Sequence, residues 1–229
     1  MPRVETHSKT KDHGNFDGTF SMVARCPKSS ALGVCVSTAV PAVGSVVPHA
    51  EIGVGAIATQ GYTNILYGTN GLNLLKTGLS PEAALETMLR EDPKRETRQV
   101  AIIDKQGRKA AFTGSETPEW KGHVTGEDCI AAGNMLTSGR VLEAMVDTFE
   151  NVQSWLAERL MRALEAGQQA GGDRRGRASA ALLVVDREHM LETRPFISLR
   201  VDMHAEPVKD LRRIFDAYED WIGINPAEP

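Results

Sequence analysis

The sequence has little cysteine, and its three cysteines form no close pair motif. An odd number of unpaired cysteines argues against a disulfide scaffold and favours a reducing compartment. No apolar run is long enough to span a bilayer, and the charged residues 1–14 contain no apolar signal core. These absences exclude a membrane partner and argue against secretion by a signal peptide, so we expect a cytoplasmic protein.

The sequence also has no excess of basic residues and no nucleotide-binding motif. Its net charge is −4, which does not favour binding to nucleic acid or to an anionic membrane. There is no Walker loop, and Gly53-x-Gly55 has no third glycine at the spacing of a dinucleotide fingerprint. We therefore predict no nucleic-acid partner and no nucleotide cofactor.

Metal-binding motifs are nearly absent. The His-Glu-x-x-His spacing on one helix face is missing, and the weak pairs His49-x-Glu51 and Asp202-x-His204 remain. We predict no metal and no other cofactor. A metal-assisted hydrolase that uses Asp202 and His204 stays open as the weakest of three functional hypotheses.

The apolar residues that are present alternate between blocks of strands and blocks of helices. Because several strands or several helices follow one another before the type changes, the order argues against a doubly wound parallel sheet, in which single strands and helices alternate. The blocks favour an α+β fold, a four-layer αββα sandwich of two antiparallel sheets. We expect a leader over residues 1–18 and a single domain over 19–229, since this length suits one substantial core. The predicted strands are 19–26, 31–40, 52–60, 99–104, 108–113, 129–134, 179–186 and 197–202. The predicted helices lie near 72–79, 81–92 and after Pro207, and one long helix or a helix pair is predicted over 139–168.

Thr19 heads the first predicted strand, directly after the polar leader. A threonine with a free α-amine can use that amine as the base that activates its own hydroxyl. The amine exists only if the Gly18–Thr19 bond is cut. Threonine is also a common strand residue for packing reasons. Ser21 is a local rival, because it points to the same face of the strand.

Several further motifs accompany this threonine. They are Thr19-Phe-Ser-Met-Val-Ala-Arg25, Val43-Gly-Ser-Val-Val-Pro48, Gly53-Val-Gly-Ala-Ile-Ala-Thr-Gln60, Asn64 with Tyr67-Gly68, Gly133-Asn134, Gly171-Gly-Asp-Arg-Arg-Gly-Arg177 with Ser179-Ala-Ala181, and Leu199-Arg-Val-Asp202 with His204. With the order of blocks, they resemble the N-terminal-nucleophile (Ntn) hydrolase superfamily and, within it, domain of unknown function family 1028. The resemblance covers about residues 19–221.

This resemblance implies an αββα fold with Thr19 at the position of the superfamily's nucleophile. Two departures from the family pattern bear on that implication. Members usually have Met directly before the threonine, whereas 18 residues precede it here. Ala132 and Ala178 also stand where the family has glutamine.

The other candidate catalytic residues lie at strand ends and in one loop. Asn134 follows a glycine and can supply an oxyanion donor, or it can be a turn residue that tolerates a left-handed backbone. Asp173 can hold the amine of the nucleophile, and Ser179 either completes a proton relay or begins its strand. Arg174 and Arg177 can clamp a substrate carboxylate, or they can form a solvated basic loop after a helix.

Gln60, Asn64 and Tyr67 follow a strand of small residues and form a polar segment. Such a segment can be one wall of a substrate pocket or an ordinary connecting loop.

These observations favour an amide-bond hydrolase that acts on a small amide or peptide-like substrate, with a carboxylate that suits the arginine loop. The alternative is a non-catalytic relative with the same fold that acts as a binding or assembly protein. Long amphipathic helices are predicted beside the sheets, and the superfamily that the chain resembles often assembles. We therefore expect a homo-oligomer.

Overall fold

The computed structural model describes residues 18–186 and 196–223, which form two antiparallel sheets and five α-helices. Of the predicted leader, only Gly18 lies within these ranges. The strands are β1 Thr19–Arg25, β2 Leu32–Thr38, β3 Pro48–Glu51, β4 Gly55–Gly61, β5 Arg98–Asp104, β6 Lys109–Thr113, β7 Gly122–Thr125, β8 Cys129–Asn134, β9 Ser179–Val185 and β10 Ile197–Val201. The helices are α1 Leu66–Lys76, α2 Pro81–Glu91, α3 Arg140–Asn151, α4 Leu156–Gln169 and α5 Pro207–Ile222.

The six-stranded sheet has the order β10-β9-β2-β1-β8-β7, and the four-stranded sheet has the order β3-β4-β5-β6. Every pairing between these strands is antiparallel. The prediction of an α+β chain with two antiparallel sheets is therefore confirmed. β1 lies in the middle of the larger sheet, between β2 and β8.

Three apolar clusters hold the elements together. The first joins the six-stranded sheet to α3, α4 and α5, and includes Phe20, Phe149 and Phe215. The second contains residues of both sheets, such as Val23 of β1 and Ile103 of β5. The third joins the four-stranded sheet to α1 and α2. Because side chains alternate along a strand, β1 directs Phe20 toward the helices and leaves Thr19, Ser21 and Val23 on the face toward the other sheet.

The helix limits follow from local signals. Ser80 accepts a hydrogen bond from Ala83 N at 3.3 Å and caps α2, and Pro81 occupies the first turn of this helix. The predicted helical segment 139–168 is a pair of helices, α3 and α4.

α1 begins at Leu66, several residues before the predicted helix near 72–79. Gly68 and Gly71 weaken the helical pattern of its first turns, but the fold requires a small residue at Gly68. A Cβ on Gly68 would lie 2.2 Å from His49 Cγ, so the glycine permits close contact between α1 and β3.

Two strands, β3 and β7, were not predicted. Each has four residues, and none of the eight is fully buried. β3 also starts with a proline. Such short, half-buried segments carry too little of the period-two apolar pattern to be recognised in a sequence.

Each of the three cysteines, all within the described ranges, is a free thiol. Burial raises the pKa of Cys129 to about 12 and also raises the pKa of Cys35. Both are therefore protonated at neutral pH and unsuited to nucleophilic chemistry. No helix in the described part of the chain has the length and apolar character needed to cross a membrane.

Candidate active site

One end of the six-stranded sheet carries four polar residues in register across four neighbouring strands. Asn134, Thr19, Thr38 and Ser179 lie on β8, β1, β2 and β9, and each is the direct partner of the next. Directly paired residues of an antiparallel sheet point to the same face. All four are at most 1% exposed. Strand pairing thus brings three predicted site residues into one cross-strand row and adds Thr38.

The carbonyl oxygen of Gly18 is held by two donors beside this row. The Thr38 hydroxyl donates to it at 2.5 Å, and Arg175 Nη2 donates at 2.8 Å. The Thr19 hydroxyl lies 3.5 Å from Thr38 Oγ1, toward which it donates. A carbonyl held by a cationic donor and a hydroxyl is polarised, and its developing negative charge in an addition step would be stabilised. The bond that precedes Thr19 therefore has the donors that an acyl-transfer step requires.

Asp173 orients Arg175, the cationic donor to the Gly18 carbonyl. Its side chain is fully buried, and its two carboxylate oxygens accept from Arg175 Nε at 3.1 Å and Nη2 at 2.7 Å. The backbone N–H of Ala39 also donates to Asp173 Oδ2, at 3.1 Å. A bidentate pair fixes the plane of a guanidinium group, so Asp173 aims Arg175 at the Gly18 carbonyl.

The loop after α4 delivers this ion pair to the head of β1. Gly171 and Gly172 have φ values of +122° and +56°, which glycine adopts without steric cost. Asp173 then forms an isolated bridge with Leu136, just beyond β8. The predicted residues Thr19, Asn134, Asp173 and Ser179 are therefore gathered at one end of the sheet.

A network of buried amides lies between the two sheets, next to the row. Gln99 Nε2 donates to the carbonyl oxygens of Gly133 at 2.8 Å and of Gly122 at 3.0 Å. Because a carbonyl oxygen only accepts, these two bonds fix which end of the Gln99 amide is NH₂. Gln99 Oε1 then accepts from Gln60 Nε2 at 2.8 Å and from Asn134 Nδ2 at 3.0 Å.

Asn134 is consequently turned with one N–H toward Gln99. Its Oδ1 is buried and has no hydrogen-bond partner among the described residues. The predicted role of Asn134 as an oxyanion donor would use its second N–H. Ser21, the local rival of Thr19, donates to Gln60 Oε1 at 2.7 Å and is fully buried. Its hydroxyl is thus part of the amide network.

The remaining predicted residues make contacts with other parts of the chain. The Ser179 hydroxyl donates to Val40 O at 2.6 Å and accepts from Val43 N at 3.1 Å, which fixes the loop after β2. Arg177 forms an exposed ion pair with Glu206 at 2.6 Å. Arg174 is exposed, and its backbone N–H donates to Met135 O at 2.9 Å.

The three residues predicted to form one wall of a substrate pocket lie at two different sites. Gln60 lies in the amide network and is 1% exposed. Asn64 and Tyr67 instead line an open cleft beside α1 and α2, together with Leu66, Asn70, Met88, Glu91, Asp92 and Pro93.

Asp92 is the centre of polar contacts in this cleft. Its carboxylate accepts from Tyr67 Oη at 3.1 Å and from Arg98 Nε at 2.7 Å. Burial alone would raise the pKa of Asp92, but hydrogen bonds from Arg98, from the Lys94 N–H and from Tyr67 outweigh it and lower the pKa. Burial, followed by the negative charge of Asp92, raises the pKa of Tyr67.

We expect the Asp92→Asn variant to lose about 2 kcal/mol of unfolding free energy at pH 7, because Arg98 is nearly buried and would lose its charged partner. A carboxylate with a lowered pKa stabilises the fold above its unfolded pKa, and this contribution disappears as pH falls through the folded pKa. The difference between wild type and variant should therefore shrink below about pH 4. Urea unfolding at a series of pH values measures it.

Glu86→Gln is the matched control for this measurement. Glu86 pairs with Arg90 on the exposed face of α2, so its loss should change stability very little. A deficit of Asp92→Asn that is independent of pH would contradict the electrostatic explanation.

The residues of the weak pair Asp202-x-His204 contact other groups. Asp202 is paired with Arg200, and His204 Nδ1 accepts from the Glu206 N–H at 3.0 Å. Within residues 18–186 and 196–223, no group of three or more His, Cys, Asp or Glu side chains is placed to hold a metal ion.

Fold and site together define an α+β protein in which a buried threonine heads a central strand of a six-stranded antiparallel sheet. The chain belongs to DUF1028, a family of unknown function whose model matches residues 19–211. This confirms the family resemblance seen in the sequence, and the match begins at Thr19. No functionally curated protein matches the chain.

Solved structures also match the chain, among them the two that follow. Protein SPO2555 from Silicibacter pomeroyi, a DUF1028 member, is 35% identical with a TM-score of 0.82, and the match covers 88% of this chain and 86% of that one. Anbu (ancestral beta-subunit) from Yersinia bercovieri is 10% identical with a TM-score of 0.37, over 92% of this chain and 99% of that one.

Proposed function

We propose that this protein is an N-terminal-nucleophile amidohydrolase whose active form begins at Thr19 and which acts on a small amide or peptide-like substrate. The observation that carries the proposal is the Gly18 carbonyl, which two donors hold beside the Thr19 hydroxyl. The start of the family match at Thr19 supports it, because the residues before the proposed nucleophile are not part of the family pattern.

The proposed fold is a four-layer αββα sandwich of the Ntn-hydrolase type. The three apolar clusters support it. The first joins α3, α4 and α5 to the six-stranded sheet, the second joins the two sheets, and the third joins the four-stranded sheet to α1 and α2. In this arrangement Thr19 faces the space between the sheets, where the amide network also lies.

The first chemical step is cleavage of the chain itself. Thr19 Oγ1 attacks the Gly18 carbonyl carbon, the bond from that carbon to Thr19 N breaks, and the nitrogen takes up the proton that the hydroxyl loses. Arg175 and Thr38 stabilise the oxyanion during this acyl shift. Water then hydrolyses the resulting ester, which releases a peptide ending in Gly18 and leaves Thr19 with a free α-amine.

The second step is the reaction with substrate. The free amine removes the proton from the Thr19 hydroxyl, which attacks the amide carbonyl carbon of the substrate. The amine product leaves with that proton, and water hydrolyses the acyl ester on Thr19. Arg175 and Thr38, released from the Gly18 carbonyl, become the donors for the substrate's oxyanion. Asp173 keeps Arg175 in place, and no cofactor is needed.

The alternative function is that of a binding or assembly protein without catalysis. It is favoured by one observation: Thr19 is only 1% exposed while its bond to Gly18 is intact. An amide N–H cannot act as a base, so an uncut chain has no activated nucleophile.

Intact mass and N-terminal sequencing of the purified full-length chain, sampled during incubation, separate the two functions. The amidohydrolase proposal expects a species that begins at Thr19 to accumulate. A chain that stays uncut would contradict it and favour the binding protein. The leader 1–18, the single domain 19–229, the homo-oligomer and the cytoplasmic location remain predictions.

A further inference from the structure

Gly18 occupies a position where the structure leaves no room for a side chain. A Cβ built on it would lie 2.6 Å from Met135 Cβ, and 3.0 Å from both Arg175 Nη2 and Asp173 Oδ2. Carbon atoms that are not bonded to each other do not approach to 2.6 Å without repulsion that forces one of them to move. The crowding comes from neighbouring atoms, so it would affect any α-carbon placed at this point.

Met135 cannot give way easily, because the crowding atom is its β-carbon. The position of a Cβ is set by the backbone, and the Met135 backbone is fixed at both ends. Its N–H donates to Pro118 O at 3.2 Å, and its carbonyl accepts from Arg174 N at 2.9 Å. Met135 also has φ +53°, a left-handed conformation that is uncommon for a residue with a side chain.

The two proposed reactions pass through the same type of covalent intermediate. When the Gly18 acyl group moves from nitrogen to the Thr19 hydroxyl, the product is an ester on Thr19 Oγ1. Hydrolysis of a substrate amide passes through the same kind of ester, with the substrate's acyl group in place of the leader. The acyl α-carbon of a substrate therefore comes to lie where Gly18 Cα lies.

We infer that the enzyme selects acyl groups whose α-carbon bears no side chain, which makes glycyl amides its substrate class, and that Met135 is the residue that sets this selectivity. The inference rests on the proposed function. An L-alanyl group would bring its methyl against Met135 Cβ and the Asp173–Arg175 pair. Replacing Met135 with glycine removes the nearest of the three crowding atoms and suits the positive φ.

The test compares acetylglycyl-4-nitroanilide with acetyl-L-alanyl-4-nitroanilide, using protein that has processed itself to begin at Thr19. In wild type, kcat/KM for the glycyl compound should exceed that for the alanyl compound by at least about tenfold. In Met135→Gly the alanyl rate should rise, so that the ratio falls to within roughly threefold.

Self-cleavage provides a second measurement that needs no external substrate. Gly18→Ala should slow the appearance of the Thr19 N-terminus by at least about tenfold, and Gly18→Ala with Met135→Gly should recover much of the rate. Circular dichroism spectra of each variant confirm that they are folded. Recovery in the double variant would not occur if the alanine simply unfolded the chain.

The outcomes separate this inference from the function on which it rests. Equal rates on both anilides, or an unchanged preference in Met135→Gly, would overturn the inference while the amidohydrolase proposal stands. A protein that begins at Thr19 and cleaves neither anilide nor any other amide would overturn both. A glycyl preference that Met135→Gly abolishes would support both.

Discussion

The Thr19→Ala variant is expected to stay uncut and to hydrolyse no amide. Alanine removes the only hydroxyl that can attack the Gly18 carbonyl carbon within a five-membered ring. Loss of a covalent nucleophile lowers enzymatic rates by roughly 10⁴-fold or more, so cleavage should be undetectable over days. Intact mass spectrometry of wild type and variant, incubated in parallel, measures the result.

Two variants serve as controls for this experiment. Thr19→Ser keeps the hydroxyl and should still be cut, at a reduced rate. Ser21→Ala tests the local rival, whose hydroxyl donates to Gln60 in the amide network. We expect Ser21→Ala to be cut as the wild type is. Cleavage of Thr19→Ala at the Gly18–Thr19 bond would contradict the assignment of the nucleophile, and loss of cleavage in Ser21→Ala alone would favour Ser21.

The sequence contains enough information to place Thr38, which is not among the predicted site residues. The predicted strands 19–26 and 31–40 flank a turn, and a hairpin with this turn sets Thr19 opposite Thr38. The structure has that register. Because the turn of a hairpin fixes its register, the residue opposite Thr19 can be counted from the turn, and the hydroxyl at that position is a usable signal.

Asn134 and the amide network depend on contacts that no local pattern specifies. Asn134 pairs with Thr19 only because β8 lies beside β1, although more than a hundred residues separate them in the chain. Gln99 is the second residue of β5, directly before the apolar residues 100–103, and looks ordinary in the sequence. Gln99 becomes part of the amide network because the two sheets bring the side chains of Gln60 and Asn134 to its side-chain oxygen, Oε1.

Arg175 could not be chosen over its neighbours from the sequence alone. Arg174, Arg175 and Arg177 lie in the same loop and each carries a positive charge. Of the three, the sequence predicts Arg174 and Arg177 to bind substrate. The conformations of Gly171 and Gly172 and the bridge at Asp173 decide which arginine turns inward. These are backbone properties of a folded loop, and composition does not reveal them.

Removing the arginine donor is expected to slow self-cleavage by about 10²- to 10³-fold, which is the usual effect of losing one oxyanion donor. Arg175→Met keeps most of the aliphatic stem but deletes the hydrogen bond to Gly18 O and the charge opposite Asp173. The rate at which the Thr19 N-terminus appears, followed by intact mass, measures the effect. Arg175→Lys should restore only part of the rate, because an ammonium group cannot bind Asp173 bidentately while it donates to Gly18.

Arg175→Met also leaves the buried Asp173 carboxylate without its cation, which can destabilise the fold by about 3–5 kcal/mol. Thr38→Val avoids this difficulty, since valine has the shape of threonine and removes only the hydroxyl that donates to the same oxygen. If Thr38→Val is folded and is cut as fast as wild type, the hydroxyl has no part in the reaction. Suppose that self-cleavage is slow in Thr38→Val and in folded Arg175→Met but fast in Thr38→Ser. Two separate donors then act on the Gly18 carbonyl, because serine restores the hydroxyl but would not repair a general loss of stability.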